Sequence, residues 1–371
     1  MLVSRNLPPL RGGMERLNLH IARELSAMGK LIVIGPSGCR VSLPSSVTVD
    51  ELAVQPLPLF LLRAAWRALI RAIGSRPRVI VAGSGLAAPI AVITARLRGA
   101  RSVVYLHGLD LVVDHSVYRL LWLPWIRRCD TCIANSASTL QLAIDAGVRP
   151  SRLKVVHPGV TLPDDISTLH CEEFRQSMGW EGRKVMLSVG RLTQRKGLVE
   201  FVQDVLPLIV ARYPGVLLVV IGDDAPDALA GGRSNVRARV IAISERLGLS
   251  GNIHLLGPCD ESTLKLSLAT ADVHVFPVRA VAGDVEGFGM VAIEAAAHGL
   301  PTIAYAVGGV PDAVEDGVSG WLVEAGDEVG FSNRIIETLA DGRKAWDGGA
   351  RRFAAAFSWD NFGRKFRETI A

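Results

Sequence analysis

A chain of 371 residues exceeds what one ordinary hydrophobic core organises, so two domains are expected. With 49% hydrophobic, 21% charged and 6% aromatic residues, the composition excludes a long disordered tract. A net charge of +5 and a pI near 9.1 suit phosphate-bearing ligands, nucleic acid, an anionic membrane surface or a merely solvated basic exterior, without choosing among them.

In chain order, short apolar runs bounded by Gly, Pro or Ser alternate with longer helical stretches. Only Met1–Ser4 precede the first loop, which predicts either an unusually short first strand or a displaced start. Leu31–Ile34, Val79–Ala82, Val103–Leu106, Thr131–Ala134 and Val155–Val156 read as strands of a first half. Val185–Val189, Leu217–Ile221, Ile253–Leu255, Val273–Phe276, Thr302–Tyr305 and Trp321–Val323 read as strands of a second. Strands separated by helical spacers predict βαβ units and parallel sheets, an α/β fold. Between Val156 and Lys184 the periodicity gives way to Pro, Asp and Gly, which sets a domain boundary near residue 165. The domains are then 1–165 and 166–356. The tail, about 357–371, is an amphipathic helix with Phe357, Phe362 and Phe366 on its apolar side, expected to pack back on the first domain.

The five cysteines are scattered and odd in number, as expected of reduced thiols in a cytoplasmic protein. Cys129 and Cys132 form a lone C-x-x-C inside an apparent buried strand, so no zinc site is expected. The N-terminal residues lack the pattern of a signal peptide, and no uncharged run of about 18 apolar residues is present to span a bilayer.

In parallel sheets, ligands gather beyond the carboxyl ends of the strands. Gly12-Gly13, after the first strand, would let backbone N–H groups approach a phosphate or sugar, although a Gly-Gly turn equally suits no ligand. His107-Gly108 ends the strand Val103–Leu106, where a ligand-facing or a structural histidine would both fit. In Gly190-Arg191-Leu192-Thr193-Gln194-Arg195-Lys196-Gly197, Arg191 leaves a strand and Lys196 opens the next helix. Two cations so placed form a pyrophosphate clamp, unless they are surface charges in a loop. In Glu286-Gly287-Phe288-Gly289-Met290, followed by Glu294, one carboxylate sits at a Gly-rich helix mouth and a second lies within an apolar helix. There it needs a partner, whether a ligand or a salt bridge. Gly83-Ser84-Gly85-Leu86-Ala87-Ala88 matches a dinucleotide fingerprint, but it follows a mid-sheet strand and no acidic residue ends the next strand.

Together these motifs resemble glycosyltransferase family 4. The matching pieces are Gly12-Gly13, His107-Gly108, Asn135-Ser136, Pro158-Gly159-Val160, Gly190-Arg191-Leu192 with Lys196-Gly197, and Glu286-Gly287-Phe288-Gly289 with Glu294-Ala295. Pro301, Gly308-Gly309-Val310-Pro311 and Asp316-Gly317 complete the order. Asp312 stands where the family usually has Glu, and His157-Pro158-Gly159 where it has Asn-Gly. The resemblance implies the GT-B fold, two facing Rossmann-like domains with an interdomain cleft. It implies a metal-independent, retaining transfer of a hexose-type sugar, with the nucleotide-diphosphate sugar as co-substrate and no cofactor. Arg191 and Lys196 would hold the diphosphate, Glu294 the ribose, and Gly13 would bring its backbone to the phosphates. Glu286 would hold the transferred sugar with the N–H groups of Phe288, Gly289 and Met290, and His107 would contact it from the other domain.

Acceptors implied by the family are glycans or lipid-linked sugars of bacterial surface polysaccharide or lipopolysaccharide synthesis. Residues 60–73 place Arg63, Arg67 and Arg71 on one stripe beside Leu62, Trp66, Leu69, Ile70 and Ile73. That pattern reads either as a contact with the inner face of a membrane or as a surface helix on the sheet. The expected setting is cytoplasmic, with this peripheral contact, and nucleic acid is not an expected partner. Two competing readings are a sugar-nucleotide 2-epimerase of the same fold and a non-catalytic nucleotide-sugar-binding subunit.

Overall fold

The computed structural model describes residues 1–113, 115–224 and 235–371. The chain forms two α/β units, one comprising Met1–Gly159, Gly283–Phe288 and Trp359–Ala371, the other Val160–Ala282 and Gly289–Ser358.

The first unit is built on a seven-stranded parallel sheet: β1 (Leu2–Val3), β2 (Ile32–Pro36), β3 (Thr48–Leu52), β4 (Val79–Ala82), β5 (Arg101–Leu106), β6 (Thr131–Ala134) and β7 (Leu153–Val155). Their order is β3-β2-β1-β4-β5-β6-β7, so the chain winds one way from β1 and then the other way from β4. The strands are near-continuous apolar runs because both faces of the sheet are covered. Helix α1 (Gly13–Met28) and the C-terminal helix Trp359–Ile370 bury Leu17, Ile21, Phe362 and Phe366 against one face. Helices α2 (Leu57–Ser75) and α3 (Ala88–Arg98) cover the other with Phe60, Ala64, Ala68, Ile90 and Ala91.

β1 is central although only two residues long, pairing with both β2 and β4. β3 was not predicted. It is an edge strand whose TVDEL sequence carries two carboxylates, and Asp50 is tolerated there because Arg71 of α2 grips it at 2.9 and 2.5 Å. The tail departs from its predicted face in one residue. Phe357 precedes the helix and packs on Phe353 at 5.0 Å, and Ile370 instead completes the apolar stripe with Phe362 and Phe366. Trp359 stacks on His20 with centroids 3.5 Å apart. Burial, with the charges of Arg23 and Arg16, pushes that histidine down to about 4.

The second unit holds a six-stranded parallel sheet: β8 (Val185–Val189), β9 (Leu217–Ile221), β10 (Ile253–Gly257), β11 (Val273–Phe276), β12 (Thr302–Tyr305) and β13 (Gly320–Val323). The order β10-β9-β8-β11-β12-β13 repeats the reversal of the first sheet, here between β8 and β11. Arginines bind helix ends in this unit. The Arg343 guanidinium donates to the carbonyls of Leu268 and Ala271, each at 3.0 Å, and to that of His298, satisfying groups that two helices leave open. Cys129 and Cys132 lie wholly buried in the first unit. Among the described residues no helix is long and apolar enough to cross a membrane.

Candidate functional site

In a doubly wound sheet, the point where strand order reverses leaves a crevice beyond the carboxyl ends of the two flanking strands. In the second unit these strands are β8 and β11. Beyond β8 the chain turns through Gly190, whose N–H bonds the Ile221 carbonyl at 2.9 Å, and Leu192, bonded to the Asp223 carbonyl at 2.9 Å. A single 3₁₀ turn, Gln194–Lys196, then leads into the following helix through Gly197 at φ 67°. Glycine is required at that position twice over. The backbone is left-handed, and a Cβ would fall 1.9 Å from the Pro277 carbonyl oxygen.

This turn points Lys196 back over the sheet. Its ammonium lies 4.5 Å from the centroid of the Phe276 ring, the last residue of β11, and close to Gly190. The ring face attracts the cation and, being apolar, competes for none of its hydrogen bonds. Gly289 also approaches Phe276, and a Cβ there would lie 3.0 Å from a ring carbon. Gly289, at φ 98°, opens the helix Met290–Ala297. Phe276 therefore brings together Lys196 and the helix mouth of Gly289 and Met290. Sequence reasoning did not single Phe276 out, although its place at a strand's carboxyl end was the available signal. Arg191 is exposed in the same turn, and Glu294 is buried one turn into the helix.

Beneath Phe276 lies His274, fully buried, its ring stacked on Phe276 at 5.6 Å and its Nδ1 3.1 Å from Thr302 Oγ1. Burial first, and the Lys196 charge second, push its pKa down to about 3. The imidazole is thus uncharged near neutral pH, and Lys196 supplies the local positive charge.

In the first unit His107 follows β5. Its Nε2 lies 2.9 Å from the Gly83 carbonyl, which can only accept, so Nε2 carries the hydrogen and Nδ1 is left for another partner. The His107 N–H donates to Asp110 Oδ2 at 3.0 Å. The segment Gly283–Phe288 belongs to this unit and packs on the same place. A Cβ at Gly287 would fall 2.0 Å from the His107 carbonyl oxygen and 2.7 Å from Asn135 Nδ2. Thr139 Oγ1 donates to the Gly287 carbonyl at 3.4 Å, and Phe288 is buried with its ring stacked on His157 at 5.5 Å. The absence of a side chain at 287 is what allows this segment to lie against the His107 carbonyl. Thr139 was not recognised from sequence, because a lone threonine in a helix gives no pattern.

The Gly12-Gly13 turn opens α1, where the Glu15 carboxylate accepts from Asn6 Nδ2 at 2.8 Å and closes over Gly12. The Gly83–Gly85 turn is packed shut. A Cβ at Gly83 would meet Asn18 Oδ1 at 2.3 Å and Ser4 at 2.7 Å, and one at Gly85 would meet Asp110, Ile126 and Tyr118, each at 2.9 Å. No group of three or more His, Cys, Asp or Glu able to hold a metal is found among the described residues.

Of the residues singled out from the sequence, Gly13, His107, Glu286 and Phe288 belong to the first unit and Arg191, Lys196, Gly289, Met290 and Glu294 to the second. Residues 11–162 match the model of Glycosyltransferase Family 4, and residues 171–353 that of Glycosyl transferases group 1. The chain is 32% identical over 243 residues to the D-inositol 3-phosphate glycosyltransferase of Mycobacterium tuberculosis, covering 64% of this chain and 47% of that protein. It thus spans about half the length of the curated relatives it matches. Its fold superposes on the crystal structure of Anabaena HepE in complex with UDP, with a TM-score of 0.82, 22% identity and coverage of 100% and 98%. WaaG, a glycosyltransferase involved in lipopolysaccharide biosynthesis, superposes with a TM-score of 0.72, 17% identity and coverage of 100% and 99%. Two parallel-sheet units, the succession of both family models along the chain and these likenesses lead to one conclusion: the chain belongs to glycosyltransferase family 4 and has the GT-B fold.

Proposed function

We propose that the protein is a retaining, metal-independent glycosyltransferase that moves a hexose-type sugar from a nucleoside-diphosphate donor to a glycan or lipid-linked acceptor of bacterial surface polysaccharide synthesis. The observation that carries this reading is the Lys196 ammonium, fixed over Phe276 beside the helix mouth of Gly289 and Met290. Breaking the bond between sugar and diphosphate leaves negative charge on the departing phosphate. A cation fixed in advance stabilises that charge without reorganising during the step. Lys196 and the neighbouring Arg191 bind the diphosphate, the guanidinium bidentate and the ammonium as a point charge. The first N–H groups of the helix Met290–Ala297 add their dipole, Glu294 accepts from the ribose hydroxyls, and the backbone of Gly13 approaches the phosphates. Glu286, the N–H groups of Phe288, Gly289 and Met290, and His107 through Nδ1 hold the hydroxyls of the transferred sugar. The acceptor hydroxyl attacks from the side of the leaving group, and the departing phosphate oxygen takes its proton, which retains the anomeric configuration.

Because HepE has been crystallised with UDP and with UDP-glucose, the donor proposed first is a uridine-diphosphate hexose. Titration calorimetry of UDP, GDP, ADP and NAD, each with EDTA present, tests the assignment. UDP is expected to bind, and Lys196→Ala to weaken it and to lower turnover on the order of 100-fold. Near wild-type turnover in that variant, or binding of NAD alone, sinks the reading.

A further inference from the structure

Helix α2 has its apolar residues on two opposite sides. Phe60, Ala64, Ala68 and Ala72 face the core at a spacing of four. On a helix covering a soluble sheet, the opposite pole should be polar. Here that pole carries Leu62, 70% exposed, Trp66, 66%, and Ile73, 66%, with Ile70 among them. α3 packs beside it on the same face of the sheet and contributes Leu97, 64% exposed, while Arg98 reaches the Ile73 carbonyl at 3.5 Å and ties the two helix ends together.

The charges run along one flank of this apolar pole. Arg71 is taken up by its bidentate pair with Asp50, but Arg63 and Arg67 are exposed. With Leu52, Leu62 and Trp66 they line an open pocket of about 430 Å³. From Leu52 to Leu109 the sequence contains eight arginines and no Asp or Glu, so nothing in this stretch repels an anion. An exposed apolar helix face flanked by arginines matches the two layers of a membrane interface. Leucine and isoleucine enter the acyl boundary, tryptophan sits at headgroup level, and guanidinium groups pair with lipid phosphates.

We propose that the outer face of α2, extended by Leu97, docks the protein on an anionic bilayer, with Arg63 and Arg67 binding a lipid phosphate at the pocket. This deepens the lipid-linked acceptor reading and rests on it for its purpose, since docking would hold the enzyme where such an acceptor lies. The docking itself requires neither donor nor acceptor.

The test is flotation of the full chain with vesicles of phosphatidylcholine alone or mixed with phosphatidylglycerol, alongside UDP calorimetry on each variant. The wild-type chain is expected to float with the mixed vesicles only, and less so at high salt. Arg63→Glu with Arg67→Glu should reduce partitioning at least about 30-fold, and Trp66→Ser about tenfold, with UDP affinity unchanged in both. Absence of wild-type flotation, or flotation undiminished in the variants, overturns the proposal. So does a wild-type dimer in light scattering that Trp66→Ser dissolves, which would make a second copy the occupant. Loss of UDP binding by the wild-type chain would instead strike at the donor assignment and leave the flotation result standing.

Discussion

The two sheets reverse their strand order in the same way, yet the two reversal points are built for different ends. At the first, between β1 and β4, Ser4, Asn18 and Gly83 close the crevice so tightly that a single Cβ at Gly83 would lie 2.3 Å from a neighbouring oxygen. At the second, between β8 and β11, the turn holds a lysine over an aromatic ring. Both turns are glycine-rich and follow a strand. The first satisfies the dinucleotide fingerprint and the second does not. Glycine serves close packing in one and backbone direction in the other, and only what surrounds it distinguishes the two.

The largest expected effect comes from breaking the open turn. Gly197→Ala would force a left-handed alanine and drive its methyl group into the Pro277 carbonyl. A loss of about 3 kcal/mol or more in denaturant unfolding is expected, with loss of UDP binding. Gly83→Ala should cost less, about 1–3 kcal/mol, because side chains of Asn18 and Ser4 can yield where a backbone carbonyl cannot. It should leave UDP affinity intact, so a weakened UDP affinity in that variant would mean that the first turn serves the ligand as well.

The most gradual effect, at most about 1.4 kcal/mol per pH unit, sharpens the comparison through pH. His274, beneath the Lys196 platform, is held at about 3 in the folded chain against an ordinary value of 6.5. Between those values the unfolded chain takes up a proton that the folded chain refuses. Stability should therefore fall as pH drops from about 6.5 toward 3, by up to about 1.4 kcal/mol per unit. His20, pushed down to about 4 in the first unit, adds a slope of the same sign that levels off sooner. In denaturant midpoints measured against pH, His274→Gln should flatten the lower part of the curve; an unchanged slope would remove His274 as its source.

Much of this architecture was legible in the sequence. Val79–Ala82, Thr131–Ala134, Val185–Val189, Leu217–Ile221, Val273–Phe276 and Thr302–Tyr305 are strands with the bounds that their apolar runs predict. Central parallel strands must be apolar on both faces, so they stand out from their surroundings. β3 does not, because an edge strand pairs on one side only and can carry Asp50 and Glu51. The candidate site was legible where a motif joins residues close in sequence, as from Arg191 to Lys196. It was not where the contact spans the chain. Thr139 with Gly287, and Phe276 with Lys196, have no local pattern to mark them. Nor did the helix pattern of residues 60–73 reveal that Arg71 is taken up by Asp50, a partner on a strand that was not predicted.

The C-terminal helix has a consequence for recombination between relatives. Phe362, Phe366 and Ile370 complete the core that β1, β2, β4 and β5 begin, and Arg101 holds the carbonyls of Ile370 and Ala371. A chimera that exchanges donor-binding halves by a single crossover near residue 160 would pair a core with a foreign last helix. An exchange that keeps this helix with its own core has two crossovers, and carries residues 359–371 together with residues 1–159.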